Sequence, residues 1–184
     1  MRRHDFPRTL FIASFSIVSF LVAATLTAAQ PVRFDSSLED EVVVDRLLRE
    51  MSVEEVLGQV FFVGYWGTNP STAILRWIGD RNVGGAKIFS RNVGTLRELA
   101  ASVRRMQEAA VSSRLGIPLL VATDQEGGWV QHVKAGLSLA PGNMAVGASG
   151  QPRDAYLTGL HLGRELRALG INMNFAPTVD VYSN

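Results

Sequence analysis

The chain has 184 residues, 47% of them hydrophobic, and a formal charge of +1, so it is long and apolar enough to bury a core and is not a disordered, highly charged chain. Residues 1–29 carry three Arg and one Asp, and without them the charge becomes −1, a near-neutral balance that excludes a nucleic-acid partner, whose phosphates need a basic surface. With no Cys there is no disulfide, no lipid-modified cysteine and no thiolate metal site.

In chain order, Arg2, Arg3 and Arg8 precede an apolar run at 10–26, which ends in Thr27-Ala28-Ala29-Gln30. This is the pattern of an export signal cleaved after Ala29, giving a periplasmic or extracellular protein. An uncleaved membrane anchor is the alternative, because the run is slightly short of spanning length. Residues 30–184 form the remaining, mature part. Val42, Val43, Leu47 and Leu48 between charges predict an amphipathic helix over 38–51. Ser52 and Glu55 have the spacing of a capping box for a short helix that Gly58 is expected to end. The apolar run 60–63 predicts a first strand, with an exit loop over 64–70. A helix over 71–79 and a strand over 83–89 follow.

Leu96, Leu99, Val103, Met106 and Ala110 step by three and four, which predicts a helix over 95–114. A third strand is expected over 117–123, and a Gly-rich loop over 141–149. A second long helix is expected over 154–169, stopped by Gly170, and a fourth strand over 171–175. Strands alternating with helices at this spacing make an α/β fold of about four parallel βα units. A closed barrel needs eight units and about 250 residues, and four strands also suit a small doubly wound sheet, so periodicity leaves both open.

The third strand delivers Asp124-Gln125-Glu126-Gly127-Gly128. A carboxylate accepts hydrogen bonds and can take two from neighbouring sugar hydroxyls; the alternative is a structural acid capping the loop. Its place at the C-terminal end of a parallel strand favours a functional role for Asp124. Glu126 does not complete an acid and base pair. Positions two apart in extended chain share a face at roughly 6.5 Å, whereas glycoside cleavage needs carboxyls on opposite sides of the scissile bond. Glu126 is therefore read as a tie to neighbouring backbone, and Gly127 and Gly128 as a turn.

His132, a short loop further on, is a second candidate for the same mouth, against the reading of a satisfied packing histidine. Trp129 suits either sugar stacking or gap filling, Asp180 lies past the fourth strand, and His161 falls mid-helix without a role. The three His show no ligand spacing and there is no phosphate-binding Gly motif, so neither a metal nor a nucleotide is indicated.

Five blocks in series, at 51–59, Val83-Gly84-Gly85-Ala86-Lys87-Ile88-Phe89-Ser90-Arg91-Asn92, the segment from Asp124 to Gly128, Pro141-Gly142-Asn143-Met144-Ala145, and 169–181, resemble glycoside hydrolase family 3. The Asp-Gln-Glu-Gly-Gly form is similar to its β-N-acetylhexosaminidase branch more than to its β-glucosidases. The resemblance implies the N-terminal half of a TIM-like barrel over 30–184, acting on carbohydrate with a terminal GlcNAc, such as peptidoglycan fragments, by retaining hydrolysis and without a cofactor. Asp124 matches the acid that binds hydroxyls of the non-reducing sugar. His132 stands where the branch commonly has a sugar-contacting Arg. The Lys-His-Phe-Pro-Gly-His-Gly segment with the acid/base histidine, and the nucleophilic Asp, have no counterpart here, so no catalytic residue is expected within this chain. The expectation is an N-terminal part lacking the second half of its barrel, with two open sheet edges and a tendency to aggregate. A non-catalytic exported sugar-binding protein and a β-glucosidase-type member are the alternatives.

Overall fold

The computed structural model describes residues 33–180; the export signal or anchor expected over 1–29 lies outside them. Two helices come first, α1 (Asp40–Glu50) and α2 (Val53–Gln59). The βα alternation follows as β1 (Phe62–Gly64), α3 (Thr72–Arg81), β2 (Gly85–Ile88), α4 (Leu96–Val111) and β3 (Leu120–Thr123). After β3 the chain makes a hairpin of β4 (Gln125–Gly127) and β5 (Val130–Gln131), then α5 (Asn143–Ala148), α6 (Pro152–Ala168) and β6 (Met173–Asn174). β1, β2, β3 and β6 form one parallel sheet in that order. Among the described residues, no helix is long and apolar enough to cross a membrane.

Local chemistry sets the helix starts. Ser52 and Glu55 form the expected capping box of α2, and Thr95 and Glu98 form another at α4, each side chain accepting from the other residue's backbone N–H. Ser71 caps α3, and Asn82, at φ 51°, turns the chain out of it. Two expectations need correction. Gly58 does not end α2, which continues to Gln59, whose side-chain amide donates to the Asn82 carbonyl at 2.6 Å. The Gly-rich segment 141–149 is not all loop, because residues 143–148 form α5, seated against α6.

Side chains alternate across each strand, and the two faces of the sheet differ. Ala86 and Ile88 of β2, Leu119 and Val121 at β3, and Ile171 before β6 face the helices. There they pack with Ile78 of α3, Leu99, Val103 and Met106 of α4, and Leu166 of α6, all buried. Each large aliphatic side chain in this layer contributes about 1.5–3 kcal/mol by leaving water. Below the sheet, Val43 and Leu47 of α1 pack on Leu115, ahead of the third strand. Arg114 then ties the same end to α2, its guanidinium meeting the two Glu55 oxygens at 2.9 and 2.5 Å.

Strand placement is also held by side-chain amides acting as extra backbone. Gln107 of α4 donates to the Leu119 carbonyl at 2.7 Å and accepts from its N–H at 3.0 Å. Asn172 does the same between Val121 N–H and Leu119 carbonyl, at 2.7 and 3.0 Å, and Asn174 grips both backbone groups of Gln125, at 2.9 and 3.1 Å. The third strand is thus clamped at its start, at Leu119 and Val121, and just past its end, at Gln125.

Candidate functional site

Opposite the helix layer, the inner face of the sheet carries Phe62, Gly64, Gly85, Lys87, Leu120 and Ala122, and the same alternation brings Asp124 onto it just past the end of β3. This is the C-terminal rim of a parallel sheet, where βα proteins place ligand sites. Asp124 is partly buried, with 20% of its side chain exposed. Lys87, paired across the sheet with Ala122 on one side and Gly64 on the other, reaches up β2 to place Nζ 2.8 Å from Asp124 Oδ2.

His132 arrives by the hairpin. Gly127 and Gly128, at φ 94° and 60°, reverse the chain, and a β-carbon on Gly127 would strike the Pro141 carbonyl oxygen. Gln125, fully buried, fixes the return strand by donating to the Val133 carbonyl at 2.8 Å and accepting from its N–H at 3.0 Å. His132 Nε2 then lies 3.3 Å from Asp124 Oδ2, and Nδ1 lies 3.0 Å from Ser90 Oγ. A carboxylate only accepts, so in the neutral ring Nε2 carries the proton and Nδ1 accepts from the Ser90 hydroxyl. Both side-chain contacts of Asp124 fall on Oδ2; among the described residues Oδ1 has no hydrogen-bond partner, which leaves it for a ligand.

Aromatic rings surround the charges. Phe89 and Phe175 each lie 5.1 Å from Lys87 Nζ, Phe89 meets His132 edge-on at 5.4 Å, and Arg91 stacks between Phe89 and Trp66. The structure therefore brings together two residues singled out from sequence, Asp124 and His132, and adds Lys87, Ser90, Phe89 and Phe175. The signal for Lys87 was its type: a lysine inside a strand otherwise made of Gly, Ala and Ile.

The remaining sequence candidates are placed elsewhere. Glu126 accepts a hydrogen bond from the Thr178 hydroxyl, a tie to a side chain rather than to the backbone expected. Trp129 projects from the hairpin tip, 96% exposed, and fills no gap. Asp180 and His161 are exposed. A cavity of about 780 Å³ lies at the N-terminal ends of the strands beside Glu50, Trp77 and Arg114, away from Asp124. The charged groups of that hollow include Glu55 and Arg114, which are engaged with one another, and it lies at the end of the strands opposite the C-terminal rim, so the rim is the better candidate.

The profile of the Glycosyl hydrolase family 3 N terminal domain matches residues 47–184. Beta-hexosaminidase A of Pseudoalteromonas piscicida is 41% identical over 111 residues, which cover 58% of this chain and 19% of that protein. A beta-N-acetylglucosaminidase/beta-glucosidase of Cellulomonas fimi is 33% identical over 150 residues, 80% of this chain and 25% of that protein. Among solved structures, a family 3 beta-N-acetylglucosaminidase from Paenibacillus sp. str. FPU-7 superposes with a TM-score of 0.68 at 39% identity. The match covers 71% of this chain and 25% of that one. The beta-N-acetylhexosaminidase of Beutenbergia cavernae superposes at 0.65 with 35% identity, covering 73% and 40%. The chain thus spans well under half the length of these relatives, and its four parallel strands with the helices between them match the N-terminal part of a TIM-like barrel. Parallel sheet, family profile and superposition agree, and the chain belongs to glycoside hydrolase family 3.

Proposed function

We propose that these residues form the sugar-recognition part of an exported β-N-acetylhexosaminidase, with Asp124 accepting hydrogen bonds from hydroxyls of a terminal, β-linked GlcNAc and His132 beside it. The observation that carries this reading is Asp124 itself: an inward carboxylate at the strand end, with cationic and imidazole donors on Oδ2 and, among the described residues, none on Oδ1. Hydrogen bonds from hydroxyls to a charged acceptor are roughly twice as strong as neutral ones, which suits a site that must take a hydroxylated ring out of water. Glu126 is engaged with Thr178, which supports binding rather than acid and base chemistry at this segment. Glycoside cleavage needs carboxyls on opposite sides of the scissile bond, an arrangement that Asp124 and Glu126, two residues apart in one segment, do not supply.

The name of the Paenibacillus relative supports GlcNAc as the sugar, and those of the Pseudoalteromonas and Beutenbergia relatives support a hexosamine more broadly. The Cellulomonas relative, named for both activities, favours glucose as a second substrate. The apolar run 10–26 supports export, which N-terminal sequencing of secreted and membrane fractions tests.

Titration of the full chain with methyl β-N-acetylglucosaminide and methyl β-glucoside tests the recognition. The expected result is tighter binding of the GlcNAc glycoside, weakened at least tenfold by Asp124→Asn, about 1.4 kcal/mol. Equal binding by Asp124→Asn would overturn the assignment. Tighter binding of the glucoside would turn it to the second sugar.

A further inference from the structure

Lys87 is not accounted for by a hydroxyl-accepting carboxylate alone. It occupies the middle of the sheet's inner face, 26% exposed, where an ammonium gives up much of its hydration. The cost is offset by Asp124 Oδ2 at 2.8 Å and by the faces of Phe89 and Phe175 at 5.1 Å. An ammonium has three directed N–H donors. One is taken by Oδ2, while the rings balance charge without accepting a directed bond as an oxygen does. Its neighbours across the sheet are Gly64 and Ala122, the two smallest side-chain types, so no bulky group from the adjoining strands closes over it.

We propose that Lys87 is a second sugar-contacting residue, and that Lys87 and Asp124 together read one hydroxyl. A hydroxyl both donates and accepts, and an acceptor and a donor in contact at 2.8 Å present the complementary pair: Asp124 takes the proton while Lys87 donates to the oxygen. A site built this way rejects an analogue lacking that hydroxyl, because the deletion leaves two partly buried charged groups without their ligand. The inference deepens the recognition proposed for Asp124 and rests on it.

The test is a cycle between residue and ligand, read by titration of the full chain. The ligands are methyl β-N-acetylglucosaminide and its 3-, 4- and 6-deoxy analogues; the variants are Lys87→Met, Lys87→Arg and Asp124→Asn. Lys87→Met is expected to weaken the parent glycoside about tenfold. It is also expected to bind one deoxy analogue as well as the parent glycoside, although the unaltered chain discriminates between them. Lys87→Arg, which keeps the charge, recovers part of the affinity. Where Lys87→Met loses the thermal transition of the unaltered chain, Lys87→Gln supplies the same comparison, being uncharged and polar. Undiminished affinity, or equal losses on every analogue, in a chain still weakened by Asp124→Asn overturns the role of Lys87 alone. No effect of Asp124→Asn, or no binding by the unaltered chain, overturns both assignments.

Discussion

Leu119 and Leu120 are adjacent, of the same type and at the same strand, yet one is 1% exposed and the other 44%. Leu119 faces the helices, in a layer closed by α3, α4 and α6, and Leu120 faces the inner surface with Phe62 and Phe175, which are 36% and 40% exposed. The helix side is a finished core. The inner side carries the charge cluster and is the face that a complete barrel lines with the side chains of its other strands. Stability therefore resides on one face of this sheet, and the proposed recognition group stands on the other.

The largest expected effect is on the closed face. Leu119→Ala should destabilise the chain by about 2–5 kcal/mol, through lost burial and a cavity, measured by chemical unfolding. Gly127→Ala should cost about 1–3 kcal/mol, because φ 94° strains any other residue and the new methyl meets the Pro141 carbonyl. It should also weaken sugar binding, since the turn carries His132.

Glu55→Gln should cost about 1–2 kcal/mol at neutral pH by weakening both the capping box and the Arg114 pair. The Arg114 hydrogen bond holds the Glu55 carboxyl below its usual value of 4.5. That stabilisation is complete above the unfolded value and lost as pH falls through the lower folded one, so the variant should show a flatter melting-temperature profile below about pH 4.5. Leu120→Ala should stay within about 0.5 kcal/mol. A loss as large as that of Leu119→Ala would show that the inner face is covered and break the comparison.

The closed face was legible in sequence because periodicity reports burial. The steps of Leu99, Val103 and Met106 gave α4, and the apolar runs gave all four parallel strands, each starting two or three residues later than expected, with β1 running one residue past its expected end. Asp124 was legible from its place after a strand. The hairpin was not, because Gln125–Gly127 and Val130–Gln131 have no apolar alternation and are held by the buried Gln125 amide and by glycine geometry. α5 lacks charges and a capping side chain, so only its packing on α6 reveals it. The part played by Lys87 was hidden in register: only the pairing of Lys87 with Ala122 brings it one step below Asp124 on the same face.

The Asn172 and Asn174 clamps make the height of Asp124 independent of the loops around it. Their amides grip backbone at Leu119, Val121 and Gln125, bracketing the carboxylate. Sliding β3 by one residue would break every one of these bonds and also turn Asp124 from the open face into the helix layer. Parity and clamp together make the chain digital at this point: the carboxylate is either in the mouth at a fixed depth or gone from it, so loops at the rim are free to vary in length without moving it.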